Sequence, residues 1–96
     1  MVGYSLEFHP SALAEFKALD KSVSSVLARR LEERLLVPHI ASDRLSGPLS
    51  NCYKIRNGKT GHRLVYEVIE NERVLYVVAV GKRADKAVYK TATQRL

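Results

Sequence analysis

The stretch Cys52-Tyr53-Lys54-Ile55-Arg56-Asn57-Gly58-Lys59-Thr60-Gly61-His62-Arg63-Leu64-Val65-Tyr66 decides the fold. Two strand-forming runs flank Asn57 to Gly61, a segment rich in residues that accept positive φ, which is the pattern of a β-hairpin. The spacing predicts strands over 53–56 and 63–69. After the turn residues Glu70-Asn71-Glu72, a third strand is predicted over 74–80, with Gly81 ending it. This last run is nearly all apolar, which marks a central strand covered on both faces.

Upstream, Tyr4-Ser5-Leu6-Glu7-Phe8 alternates apolar and polar, as a strand with one buried face does. Pro10 suits the first position of a helix, and Ala12, Leu13, Phe16 and Leu19 recur at helical spacing. Asp20-Lys21-Ser22 breaks that pattern and offers N-caps for a second helix. In it Val23, Val26, Leu27, Leu31 and Leu35 line one face, and Arg29, Arg30, Glu32 and Glu33 the other. Pro38 stops it, and residues 39–51 read as a loop returning to the sheet. Residues 84–95 are predicted to form a short C-terminal helix. The expected class is α+β: a small antiparallel sheet of about four strands, two N-terminal helices and one C-terminal helix, in the order β-α-α-β-β-β-α.

Ninety-six residues with 46% hydrophobic and 27% charged content suit one domain, 1–96, with a modest core. A single cysteine cannot form an internal disulfide, so a reducing cytoplasm is expected, with Cys52 a buried small hydrophobe. No signal peptide is expected before the first strand, and no apolar run is long enough to span a bilayer. No membrane partner is therefore expected.

Charge is unevenly divided. Residues 1–50 carry six Lys/Arg and six Asp/Glu; residues 51–96 carry ten and four, so the whole formal charge of +6 lies in the second half. Such a half attracts polyanions in a salt-dependent way. Strand alternation places Lys54 and Arg56 on one face. If Arg56 pairs with Gly61, Lys54 stands opposite Arg63, a like-charge pairing that destabilises a sheet unless an anion lies between. A slipped register with solvated cations is the alternative. Lys82 and Arg83 leave the central strand where ligand-contacting groups are common. Tyr89, on the last helix, can stack on a base or bond a phosphate, or simply pack on the sheet.

His9, His39 and His62 lack metal-ligand spacing, so neither a metal nor another cofactor is expected. The carboxylates near the basic segments form no acid/base pair. These readings narrow the chemistry to nucleic-acid binding or metal-free RNA cleavage.

Taken in order and at this spacing, Leu45-Ser46-Gly47, Cys52 to Arg56, Gly61 to Tyr66, Val80-Gly81-Lys82-Arg83 and Val88-Tyr89 resemble the RelE branch of the RelE/ParE toxin superfamily. The resemblance covers nearly the whole chain and implies a RelE-like fold of the microbial-ribonuclease kind. It further implies the toxin of a type II toxin–antitoxin pair, a ribosome-dependent endoribonuclease that cuts mRNA in the A site and arrests growth by inhibiting translation. The nucleophile is the RNA's own 2′-hydroxyl, without metal or cofactor. The implied partners are a RelB-like antitoxin, the 70S ribosome with its ribosomal RNA, and mRNA. Operator DNA is reached only through the repressing antitoxin complex.

The family's catalytic positions fall on Lys54, Arg56, Arg63, Arg83 and Tyr89. Lys54 is the expected base, because neighbouring cations disfavour a lysine's charged form. Arg56, where relatives often carry lysine, cannot deprotonate and supplies charge. Arg63 matches the scissile phosphate with two parallel hydrogen bonds. Arg83 is expected to stabilise the phosphorane or the leaving oxygen, and Tyr89 to orient the hydroxyl or stack on a base. Lys59, His62, Lys82 and Lys86 are the expected RNA contacts. Ser46 stands where relatives often carry a basic residue, which predicts weaker RNA contact. Two rival readings stay open: a ParE-like inhibitor of DNA gyrase without nuclease activity, and an inactive nucleic-acid-binding module.

Overall fold

The computed structural model describes residues 3–82 and 86–96. The strands are β1 (Ser5–Phe8), β2 (Cys52–Asn57), β3 (His62–Ile69) and β4 (Val74–Lys82), and the helices α1 (Pro10–Lys17), α2 (Lys21–Leu36) and α3 (Ala87–Arg95). The element order is the expected one. The sheet runs β1-β4-β3-β2. The meander β2-β3-β4 is antiparallel, whereas β1 pairs in parallel with β4. Among the described residues no helix is long and apolar enough to cross a membrane.

Each helix starts and stops for a local reason. Pro10 opens α1, and the His9 ring nitrogen Nδ1 accepts the free Ser11 N–H at 3.1 Å. Asp20 occupies the N-cap position of α2 but makes no side-chain cap bond there. That helix ends at Leu36, two residues before Pro38, because the residue preceding a proline is disfavoured in helical geometry.

Two cores lie on opposite faces of the sheet. On one, Ala12 of α1 and Val23, Leu27 and Leu31 of α2 meet Ile55, Leu64, Tyr66, Leu75 and Val77. On the other, Val88 and Ala92 of α3 meet Cys52, Val65, Val78 and Ala79. The apolar run of β4 thus serves both layers, as its composition predicts. Truncating the fully buried Leu27 to alanine should cost about 2–5 kcal/mol. On β1 the expected buried face is incomplete. Tyr4 and Phe8 pack on the core but Leu6 is 39% exposed, because this edge strand has a neighbour on one side only.

A bulge interrupts β4. Val65 pairs with Ala79 but Tyr66 with Val77, so Val78 is the extra residue. Val78 and Ala79 consequently both enter the α3-side core. Pairing with β1 ends at Val77, leaving backbone groups of β4 without a strand partner beyond it. Side chains take them up. Glu15 accepts the Val80 N–H at 3.0 Å, and Arg95 donates to the Val78 carbonyl at 2.9 Å. Arg95 and Glu15 also bind each other through two contacts of 2.9 and 2.7 Å. Helices from both ends of the chain therefore close the open edge of the central strand.

Candidate functional site

The β2–β3 ladder extends to the pair Asn57–His62, so the loop is four residues, Gly58 to Gly61. Gly61 sits at φ 78° and its N–H donates to the Asn57 carbonyl at 2.9 Å. This register corrects the expected one. Arg56 pairs with Arg63, not with Gly61, and Lys54 stands opposite Val65. The like-charge opposition exists, but between Arg56 and Arg63. The reason is the loop: Gly61 turns the chain, and the ladder closes at the residues on either side of that turn.

Alternation still gathers the cations. Lys54, Arg56 and Arg63 share the face of Cys52 and Val65, the face covered by α3. Arg63 is 9% exposed and Arg56 is exposed. The Arg63 guanidinium donates to the His62 carbonyl at 3.2 Å. None of Lys54, Arg56 and Arg63 makes an ion pair with a described carboxylate. A row of cations that no described carboxylate compensates is an anion site in chemical terms.

A cavity of about 300 Å³ opens beside this row. Lys54 of β2, Tyr89 of α3, and Lys86, Leu45, Ser46 and Leu49 line it. Lys86 precedes α3 in the left-handed region, at φ 57°, a conformation that costs a non-glycine residue energy and is often found at functional sites. Ser46 belongs to the same wall, so the missing basic residue noted in the sequence lies within the cavity itself.

The other expected residues are dispersed. His62 and Lys82 pair across β3 and β4, and alternation puts them on the α1/α2 face, away from Lys54. The His62 ring contacts the Thr60 hydroxyl at 2.8 Å. Lys82 belongs to β4, which runs two residues past its predicted end at Val80. Lys59 lines a separate groove against α2. Arg83 lies outside the described residues, as do residues 84 and 85 of the expected last helix, which is observed over Ala87–Arg95.

Behind Lys54 is a polar support that the sequence reading passed over. Arg34 donates to the Lys54 carbonyl at 3.4 Å, to the Tyr66 hydroxyl at 2.8 Å and to Asp43 at 2.6 Å. The Tyr66 hydroxyl donates in turn to the Pro38 carbonyl at 2.7 Å. One guanidinium thus joins α2, the returning loop and the strand that carries Lys54. The available signal was a cation three residues after Leu31, on the apolar side of α2.

Cys52, on the same face of β2 as Lys54 and Arg56, has no exposed surface. Burial, with a smaller contribution from Glu67, pushes its thiol up to about 12, so it is neutral and no nucleophile. Burial likewise raises the Tyr66 hydroxyl, against the opposing pull of Arg34. Among the described residues no three His, Cys, Asp or Glu side chains come together as a metal site requires.

Comparison with known proteins gives this site its context. A family profile described as ParE toxin of the type II toxin–antitoxin system, parDE, matches residues 6–87. The mRNA interferase toxin RelE of Escherichia coli K12 is 39% identical over 95 residues, covering 99% of each chain. The solved structure of a double arginine-to-alanine variant of E. coli RelE in the free state superposes with a TM-score of 0.90, at 38% identity over 98% of each chain. The same toxin in complex with a peptide of the antitoxin RelB superposes with a TM-score of 0.82, at 38% identity over 98% of each chain. Sequence and architecture agree along nearly the entire length, and the chain belongs to the RelE toxins, within the RelE/ParE superfamily of type II toxin–antitoxin systems.

Proposed function

We propose that this toxin is a ribosome-dependent endoribonuclease that cleaves mRNA in the A site. The observation that carries the reading is the meeting of Lys54 and Tyr89 in one cavity, from positions 35 residues apart, on the sheet face that also carries Arg63, a guanidinium without an ion pair to any described carboxylate. The relative named mRNA interferase toxin RelE supports it.

In this mechanism the Lys54 amine takes the proton of the RNA 2′-hydroxyl. The oxygen attacks the adjacent phosphorus and forms the 2′,3′-cyclic phosphate. The bond from phosphorus to the 5′-oxygen breaks, and that oxygen leaves as a hydroxyl after gaining a proton. Arg63 holds the scissile phosphate, and Arg56 adds positive charge beside it. Arg83 stabilises charge on the phosphorane or the leaving oxygen. Tyr89 orients the hydroxyl or stacks on a base. Lys86, Lys82, His62 and Lys59 contact RNA away from the reacting bond. Proton transfer supplies about 10²–10⁴-fold in rate. The remainder comes from positioning and charge stabilisation, which assigns to the ribosome the task of distorting the mRNA. The partners are a RelB-like antitoxin and the ribosome, in the cytoplasm.

Primer extension on mRNA in a purified translation system tests this, comparing wild type with Arg63→Ala and Arg83→Ala, with and without ribosomes. Cuts within A-site codons that require ribosomes and both arginines are expected. Cutting of naked RNA at a similar rate removes the ribosome from the mechanism. If folded, antitoxin-free protein makes no cuts but stabilises gyrase–DNA cleavage complexes, the ParE-like reading replaces this one.

A further inference from the structure

The imidazole of His39 and the carboxylate of Glu70 meet at 2.6 Å, though 31 positions separate them in the sequence. His39 belongs to the segment that returns from α2 to β2, and Glu70 to the turn after β3. The same carboxylate oxygen accepts the Tyr4 hydroxyl at 3.2 Å. The His39 ring lies edge-to-face with Tyr4 and with Tyr53, at centroid distances of 6.1 and 5.9 Å. Among the described residues, the charged and titratable groups around it are therefore Glu70, Tyr4 and Tyr53. Arg44 adds a cation on the wall of the same small cavity, and the Arg73 guanidinium lies over the Tyr4 ring at 4.6 Å.

This pair fastens the segment that carries one wall of the cleavage cavity. Next to His39, the Pro38 carbonyl accepts the Tyr66 hydroxyl, which Arg34 also contacts. The same arginine reaches Asp43 and the Lys54 carbonyl. Tyr53, beside Lys54 in β2, stacks on Tyr66 at 5.6 Å. Further along, Arg44 bridges to Tyr53, and the Leu45 N–H donates to the Cys52 carbonyl at 3.0 Å. Leu45, Ser46 and Leu49 then line the cavity with Lys54 and Tyr89.

We propose that His39 is a positioning residue for cleavage: its ion pair with Glu70 latches the segment 38–49 onto the sheet, and so sets that cavity wall and the support behind Lys54. The latch is pH-sensitive, because histidine changes charge between about pH 5 and 8. Imidazolium binds the carboxylate through a charge-assisted bond, whereas neutral imidazole keeps only a weaker one. Both side chains stay in contact with solvent, at 47% and 63% exposure, so protons reach them freely and the effect is modest. The role in cleavage rests on the ribonuclease reading above; the latch itself does not.

Two measurements separate the latch from the cleavage. The first is single-turnover cleavage on ribosomes at pH 6 and pH 8, with each variant compared with wild type at the same pH so that the titration of Lys54 cancels. His39→Gln should cut about two- to fivefold more slowly than wild type at pH 6 and equally at pH 8. His39→Arg, charged at both, should match wild type at pH 6 and cut about two- to fivefold faster at pH 8. Equal losses in His39→Gln at both pH values mark a purely structural role and overturn the proposal, as does no loss at either. The second measurement needs no RNA. In a pH titration followed by backbone amide resonances, Leu45, Ser46 and Lys54 should shift together with the His39 ring in wild type. They should hold their low-pH positions in His39→Arg and their high-pH positions in His39→Gln. Amides that stay in place while His39 titrates overturn the latch. A wild type that makes no cuts with ribosomes present defeats the ribonuclease reading alone, and the resonances then decide the latch.

Discussion

Arg56 and Arg63 are direct partners across the β2–β3 ladder, one exposed and the other 9% exposed. Like charges so placed repel, and nothing described in the chain neutralises them. The Arg56→Gln variant should therefore be more stable than wild type by about 0.2–1 kcal/mol at low ionic strength. The gain should shrink in high salt, where the repulsion is screened. RNA affinity should fall in the same variant. Urea unfolding at two salt concentrations checks the first part, and a loss of stability at low salt would sink the argument.

Arg34 and Asp43 form an ion pair whose side chains are 12% and 22% exposed. Arg34→Leu leaves the carboxylate unpaired and takes a donor from the Tyr66 hydroxyl. It should cost about 2–3 kcal/mol. Combined with Asp43→Asn, the two changes should be non-additive by about 0.5–3 kcal/mol. Denaturant midpoints of the four proteins in that cycle measure the coupling. Additive losses would mean that the contact is not a unit. Cleavage by Arg34→Leu should also fall, because the carbonyl of Lys54 loses its anchor.

Burial raises the Glu15 carboxyl, but hydrogen bonds from Arg95 and the Val80 N–H outweigh it, and the net pKa lies below the ordinary value of 4.5. A carboxyl with a lowered folded-state pKa contributes stability that is fully present above its unfolded pKa. That contribution is lost as pH falls through the folded value. Glu15→Gln should therefore remove part of the stability at neutral pH, about 1–2 kcal/mol, and flatten the loss on the acid side. Chemical denaturation from pH 7 down to pH 3 tests it. A variant with the wild-type pH slope would contradict the role given to Glu15.

Cys52 has no exposed surface and its thiol is pushed up to about 12. At pH 8 the native protein should react with a disulfide reagent only as fast as it opens, while the urea-unfolded chain should react at once. Fast labelling of the native protein would place the thiol at the surface and disprove the burial of Cys52 in the α3-side core.

Much of this fold can be read from local pattern. The unbroken apolar run of β4 reports burial on both faces because alternate side chains enter alternate layers. Pro10, Pro38 and the glycine-rich loop mark boundaries because they restrict backbone angles in the residue itself or its neighbour. The common face of Lys54 and Arg56 follows from the two-residue repeat of a strand and holds for any register. The pairing of Lys54 with Arg63 did not follow, because register depends on where the ladder closes around Gly61.

By itself the sequence determined the order of elements, the strand faces, the basic second half and the family to which the chain belongs. Each of these depends on residue type and short-range spacing alone. Only the tertiary structure decided that Lys54 and Tyr89 line one cavity while Lys59 turns to another groove. It alone joined Glu15 to Arg95, 80 positions apart, and set Arg34 behind Lys54. Such contacts form where the chain ends and layers meet after folding. The spacing of residues along the chain carries no measure of that distance.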